Sequence, residues 1–118
     1  MRKEFKTIFE HLWEWECAIV GSALRDYAEA NDIDVLFPAS TDFRNLAGEL
    51  GVPYLGGWDE GDVRIHQLKY RLPGVGKVLN LIQRSDIEDI FNDWPHATLM
   101  PGGDEARMDH HYIKPRRD

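Results

Sequence analysis

The spacing of apolar and polar residues along the chain predicts helices that alternate with strands. In residues 3–15, apolar side chains recur at the intervals that place them on one face of a helix. A second amphipathic helix is predicted over residues 41–50, and Gly51 follows it in the position of a C-terminal cap. Shorter helices are expected over residues 23–30, with Ser22 as the N-cap, and from Ser85 or Asp86 to about Trp94.

Strands are predicted where apolar and β-branched residues run together without helical periodicity. The runs "CAIV" (residues 17–20) and "IDVLF" (residues 33–37) are typical of short buried strands. Two longer runs, at residues 63–72 and 77–83, flank the turn "PGVG" and predict a β-hairpin. Residues 52–55 are a candidate edge strand, and the glycine-rich acidic segment 56–62 is predicted to be a loop.

The mixed order of these elements predicts an α+β fold in which helices flank a small mixed β-sheet. We expect one domain over residues 1–100, because a chain of 118 residues suits a single hydrophobic core. From residue 101 onward the sequence has no apolar periodicity, so a loosely ordered C-terminal tail is predicted for residues 101–118.

Composition narrows the classes of partner and compartment. The formal net charge of -7 argues against a nucleic-acid coat or an anionic membrane as partner, since both need a concentrated positive surface. The single cysteine, Cys17, cannot form an internal disulfide, which fits a reducing cytoplasm. No segment approaches the roughly 20 apolar residues of a membrane span, and no signal peptide is evident. A cytoplasmic location without membrane contact is therefore expected.

Two aspartates in the second predicted strand are the strongest indication of chemistry. Asp32 and Asp34 are two residues apart, so their side chains share one face of the strand. Two carboxylates held together repel one another and lose hydration unless a positive charge compensates them. Mg²⁺ commonly binds one or two carboxylates together with substrate phosphates. The alternative is an edge strand with a hydrated polar face, which the apolar flanking residues disfavour.

A Gly-Ser turn precedes these aspartates, between the first predicted strand and the following helix. Gly21 would allow the backbone to approach a bound phosphate closely, and Ser22 could donate its hydroxyl to it. The simpler interpretation, a tight turn followed by a helix N-cap, is compatible with phosphate binding.

The combined pattern resembles that of a known superfamily. "IVGS", nine further residues and then "DIDV" are similar to the signature of the DNA polymerase β-type nucleotidyltransferases. "GSALRD" also resembles the Gly-Gly-x-x-Arg-Asp start of tRNA nucleotidyltransferase and poly(A) polymerase head domains. The resemblance implies that Gly21 and Ser22 grip phosphate and that Asp32 and Asp34 bind Mg²⁺ or Mn²⁺. It places Arg25 and Asp26 on the family's Arg-Asp pair, as nucleotide contacts or as a surface pair that orients the loop.

That superfamily adds a third carboxylate from a later strand, and here the matching position in "KVLNLIQ" is Asn80. An asparagine can bind a cation through its carbonyl oxygen, but it carries no charge and is a poor base. In the predicted hairpin, Gln67, Lys69 and Arg71 share a face with Asn80, so the two cations could hold phosphate. The alternative is an ordinary solvated sheet face.

Two functional hypotheses follow, besides a structural protein in which the motif arose by chance. The first is a minimal nucleotidyltransferase that binds a nucleoside triphosphate with Mg²⁺ and transfers a nucleotidyl group to a hydroxyl acceptor. The acceptor could be a small molecule, a protein or an RNA end, although the acidic chain disfavours a long nucleic acid. A chain this short is expected to work as a homo-oligomer or with a protein partner. The second is a nucleotidyltransferase-like binding or regulatory protein that lacks the third carboxylate and does not catalyse. In either case, Trp58 is a further candidate site residue, because its ring could stack on a nucleotide base.

Overall fold

The computed structural model describes residues 2–12, 14–88 and 110–112. Three helices lie in this part of the chain: α1 (Lys3–His11), α2 (Ser22–Arg25) and α3 (Phe43–Leu50). The strands are β1 (Ala18–Val20), β2 (Asp32–Phe37), β3 (Gly57–Glu60), β4 (Val63–Arg71), β5 (Val78–Arg84) and β6 (His110–Tyr112).

The strands form one mixed sheet in the order β3-β4-β5-β2-β1-β6. The first five strands build the body of the sheet, and the short β6 pairs with the outer edge of β1. β2 and β5 are parallel neighbours, whereas the other neighbouring strands are antiparallel. The prediction of an α+β fold with a small mixed sheet and flanking helices is confirmed at this level.

The main core lies between one face of the sheet and the three helices. Alternation along β2 directs Ile33, Val35 and Phe37 into this core, while Asp32 and Asp34 point to the opposite face. The amphipathic interpretation of α1 and α3 is confirmed, although α1 ends at His11 and not at residue 15. The helices and the C-cap of α1 bury these apolar side chains: Phe5, Ile8, Leu12, Phe43, Leu46 and Ala47. The hairpin of β4 and β5 is confirmed too, with Leu68 and Leu79 buried against the helices.

Local hydrogen bonds explain where two of the helices begin and end. Asp42 caps α3, because its Oδ1 accepts a hydrogen bond from the Asn45 backbone N–H at 3.1 Å. Gly51 ends the same helix in the left-handed conformation, at a φ of 71°, as predicted. The helix predicted over residues 23–30 is wrong in length, since α2 ends at Arg25. Asp26 has left the helical region, and its carboxylate accepts from the Glu29 backbone, a local bond that competes with helix formation.

Several other sequence predictions need correction. Gly21, not Ser22, is the N-cap of α2, and no side-chain hydrogen bond caps that helix. The segment predicted as an acidic loop over residues 56–62 contains β3, which pairs with β4. Glycine suits that pairing, because a Cβ at Gly57 would collide with the backbone carbonyl of Ile65. Residues 52–55 form no strand.

The C-terminal predictions fall largely outside the described residues. Residues 85–88 are not helical, and the remainder of the helix predicted to Trp94 lies outside the described part. Within the predicted tail, the described residues are His110–Tyr112, which form β6. Among the described helices, none is long and apolar enough to cross a membrane.

Candidate functional site

The acid pair lies near the start of β2, a strand enclosed in the sheet between β1 and β5. Asp34 is in register with Val20 of β1 on one side and with Asn80 of β5 on the other. Asp32 is two residues earlier on the same face, so the two Cα atoms are about 6.6 Å apart along the strand. The predicted shared face is therefore present. Asp34 has paired strands on both sides, whereas Asp32 is paired with β5.

The Gly-Ser turn contacts the acid pair directly. β1 ends at Val20, beside Asp34, and the chain then turns at Gly21 into α2. A Cβ built on Gly21 would lie 2.9 Å from Oδ2 of Asp34, closer than real Cβ atoms approach such an oxygen. Gly21 also has a φ of 85° and a ψ of -158°, a region that is essentially restricted to glycine. The turn is thus shaped so that backbone, and not a side chain, faces the carboxylate.

Ser22 and Arg25 are the first and last residues of α2. Ser22 is exposed beside the turn, and its carbonyl accepts the hydrogen bond from the Asp26 N–H that closes the helix at 2.8 Å. The side chain of Arg25 lies outside the described residues. Asp26, its predicted partner, is exposed and bonds to its own turn, as described above.

Asn80 contacts the acid pair as a hydrogen-bond donor. Its Nδ2 donates to Oδ1 of Asp34 at 3.1 Å, and its Oδ1 accepts a hydrogen bond from Nε2 of Gln67. An ionised carboxylate can only accept, so Asn80 has to present its NH₂ group to Asp34 and its carbonyl to Gln67. The carbonyl oxygen, the atom predicted to bind a cation, is therefore directed at Gln67 and not at Asp34. For Asn80 to act as a ligand, its amide would have to turn over and break both bonds.

Lys69 supplies a positive charge to the other acid. Its Nζ lies 3.0 Å from Oδ2 of Asp32, with 54% of the lysine side chain and 37% of the aspartate side chain exposed. An ion pair this exposed contributes only about 0–1 kcal/mol to stability, so its significance is electrostatic and local. Arg71 follows two residues later on the same face and is exposed. The predicted placement of Gln67, Lys69, Arg71 and Asn80 on one face is confirmed by the register of β4 and β5.

The environment of Asp34 raises the pKa of its carboxyl group above the usual range. Burial is the largest cause, and the negative charge of Asp32 adds to it. The hydrogen bond from Asn80 and the charge of Lys69 act in the opposite direction and lower that pKa. The ionised Asp34 is therefore only partly compensated by the protein, and a bound cation would favour its charged form.

The donor set suits a magnesium ion that takes its remaining ligands from phosphate and water. Within the described residues, no group of three or more histidine, cysteine, aspartate or glutamate side chains could enclose a metal ion. Two carboxylates on one strand face do provide the hard oxygen ligands that Mg²⁺ prefers in nucleotide sites, where it usually retains several waters. The residues present thus fit a cation shared with a substrate and not a closed protein cage.

Sequence reasoning missed two features near the site. The first is the hydrogen bond between Gln67 and Asn80. The prediction that both residues share a face could have indicated it. The second is a cleft of about 380 Å³ between the segment at residues 52–58 and β4, which Gln67 and Lys69 also line. Leu55 and Trp58 are the exposed large apolar side chains among the described residues, and both line this cleft. The cleft results from the path of the segment at residues 52–58. That segment has no periodic pattern from which its path could be predicted.

Comparison with known proteins adds no further assignment. No protein-family model matches the chain, and neither a curated protein nor a solved structure matches it.

Proposed function

We propose that this chain binds a nucleoside triphosphate with Mg²⁺ at Asp32 and Asp34 and transfers its nucleotidyl group to a hydroxyl acceptor. Pyrophosphate would be the leaving group, as in the DNA polymerase β-type nucleotidyltransferases that the sequence resembles. The observation that carries the proposal is the contact between Gly21 and the Asp34 carboxylate. It brings a turn suited to phosphate and a pair suited to a cation within one ligand's reach, although Gly21 and Asp34 are 13 positions apart in sequence.

Each residue of the site has a separate role in this proposal. Asp32 and Asp34 hold the cation, and Mg²⁺ supplies the positive charge that neutralises the phosphates and the leaving group. Gly21 lets the backbone approach the phosphates without a side chain between them. Ser22 is exposed on the same turn and can donate its hydroxyl. Lys69 lies near enough to change its partner from Asp32 to a phosphate oxygen.

A second function, nucleotide binding without catalysis, is favoured by a specific observation at Asn80. An amide cannot accept the proton of an attacking hydroxyl, and here its carbonyl is already bonded to Gln67. The described part of the site therefore has no third carboxylate to act as a base. In this alternative the chain would sense or sequester a nucleotide, with the same residues holding the phosphates and the cation.

The two functions separate when binding and turnover are measured on the same protein. Binding of ATP with Mg²⁺ is measured by calorimetry, and pyrophosphate release is measured with small-molecule, peptide and RNA hydroxyl acceptors. We expect Asp34→Asn to weaken nucleotide binding at least about tenfold and to abolish pyrophosphate release, because it removes a charged ligand. Asp59→Asn is the matched control, since Asp59 is an exposed aspartate on β3 that pairs with Arg64 at 3.4 Å.

The outcomes discriminate clearly between these functions. Binding with pyrophosphate release identifies the transferase, whereas binding without release from any acceptor identifies the non-catalytic protein. If Asp34→Asn binds the nucleotide as tightly as the wild type, the acid pair is not the site and both functions are wrong. Crystals soaked with Mn²⁺ and a nonhydrolysable triphosphate provide an independent check, because metal density should lie between Asp32 and Asp34.

A further inference from the structure

We propose that the acid pair takes a single divalent cation, because Lys69 and the Gln67–Asn80 amide pair occupy the places of a second cation and a third carboxylate. This inference rests on the proposed function and concerns how many cations the same site holds. It departs from the two-cation chemistry that a site with three carboxylates supports.

The charge of the site supports one cation. Asp32 and Asp34 contribute two negative charges, and Lys69, at 3.0 Å from Asp32, contributes one positive charge. The site therefore has a net charge of about -1, whereas three carboxylates without the lysine would give -3. One divalent ion already reverses the sign of the protein's charge here and attracts a polyphosphate. A second divalent ion would find no third carboxylate in the described part of the site and would depend on the ligand's phosphates alone.

The orientation of the Asn80 amide independently supports a single cation. Its NH₂ group faces Asp34 at 3.1 Å, so a donor and not an acceptor is directed at the site from β5. Gln67 holds that orientation by donating to the Asn80 carbonyl from the neighbouring strand. A cation on this side of Asp34 would meet the positive end of an amide dipole. Gln67 is thus a positioning residue, which acts on the cation through Asn80.

The geometry also assigns different roles to the two acids. Oδ1 of Asp34 is bonded to Asn80, and its Oδ2 lies against Gly21. Oδ2 of Asp32 is bonded to Lys69, whose side chain is 54% exposed. The cation would be held between the two carboxylates, and Lys69 would remain beside Asp32 as a positive charge within reach of a phosphate oxygen.

The test counts cations per bound nucleotide. The protein is saturated with a triphosphate analogue that cannot be cleaved between its α and β phosphorus atoms, and Mn²⁺ is titrated with free ion followed by electron paramagnetic resonance. We expect one Mn²⁺ per nucleotide in the wild type. In Lys69→Gln and in Asn80→Asp, singly and together, a second Mn²⁺ should bind about tenfold or more tightly than in the wild type. The first change removes a positive charge at contact distance from the site, and the second adds a negative one.

Matched controls place the same charge changes elsewhere. Lys6→Gln removes an exposed lysine on α1, and Asn45→Asp adds a carboxylate at an exposed position on α3. Neither control should alter the Mn²⁺ count. Gln67→Leu should raise the affinity of the second ion, because it releases the Asn80 amide. Thermal unfolding of Gln67→Leu and of Gln67→Asn shows whether a change in ion affinity reflects damage to the fold.

Every outcome bears on the inference. Two Mn²⁺ ions per nucleotide in the wild type would overturn it and leave the proposed function standing. One ion in the wild type and still one in the Lys69→Gln/Asn80→Asp double variant would show that these residues do not set the count, which also overturns it. If no Mn²⁺ binds in an Asp34-dependent manner, the proposed function fails, and the inference fails with it.

Discussion

Replacing Gly21 with alanine tests the contact on which the candidate site depends. Two effects of the substitution can be worked from the structure. The backbone at φ 85° and ψ -158° lies in a region that is strained for any residue with a Cβ, which costs about 1–3 kcal/mol. The new Cβ would also stand 2.9 Å from Oδ2 of Asp34, so the carboxylate or the turn has to move.

The expected result of Gly21→Ala is a loss of both stability and ligand binding. A destabilisation of about 1–3 kcal/mol lowers the Tm of a domain of this size by roughly 3–15 °C, measurable by circular dichroism. Binding of ATP with Mg²⁺, measured by calorimetry, should weaken more than the loss of stability explains. The added Cβ displaces the Asp34 carboxylate, which is a proposed ligand of the cation.

Two other glycines separate these effects. Gly51 has a φ of 71° with nothing within 4 Å of its added Cβ, so Gly51→Ala should cost stability, about 1–2 kcal/mol, without affecting binding. Gly48 lies within α3 with open space around its Cβ, and Gly48→Ala should stabilise the protein by about 0.5–1 kcal/mol. A Gly21→Ala protein with wild-type Tm and wild-type nucleotide affinity would refute the reasoning.

Three further predictions concern individual side chains. Asp34→Asn should raise the Tm of the ligand-free protein and abolish Mn²⁺ binding. The Tm should rise because burial and the charge of Asp32 raise the pKa of Asp34 and so make its ionised form unfavourable in the fold. A lower Tm would contradict this account of the site. Burial and then the charge of Arg64 lower the pKa of His66, so its contribution to stability is present above pH ~6.5 and is lost as the pH falls through the folded-state pKa. Urea unfolding of the wild type should therefore show a decline across that window that His66→Gln reduces, and equal pH profiles would rule it out. Gln83 is buried and donates to three backbone carbonyls after β2, so Gln83→Leu should destabilise the protein by roughly 1–3 kcal/mol, and a change below 0.5 kcal/mol would show that water replaces these bonds.

The structure explains why some elements could be predicted from the order of residues alone. α1 and α3 depend on apolar side chains three and four residues apart, and the alternation along β2, β4 and β5 depends on residues two apart. Such patterns lie within one element, so Asp32 and Asp34 were correctly expected to share a face. For the same reason, Asn80 could be placed beside Lys69 once the hairpin between β4 and β5 was recognised.

Other features depended on the tertiary structure, because they arise from residues that are distant in sequence. The bond between Asn80 and Asp34 joins residues 46 positions apart, and the pair of Lys69 and Asp32 joins residues 37 positions apart. Neither can be read from a local pattern, since each depends on β2 lying beside β5 and on the register of β5 with β4. Local periodicity within a helix or strand therefore determines which face each of its side chains occupies. Strand order and register decided that a glycine turn meets one acid, that a lysine meets the other, and that an amide donates where a third carboxylate was expected.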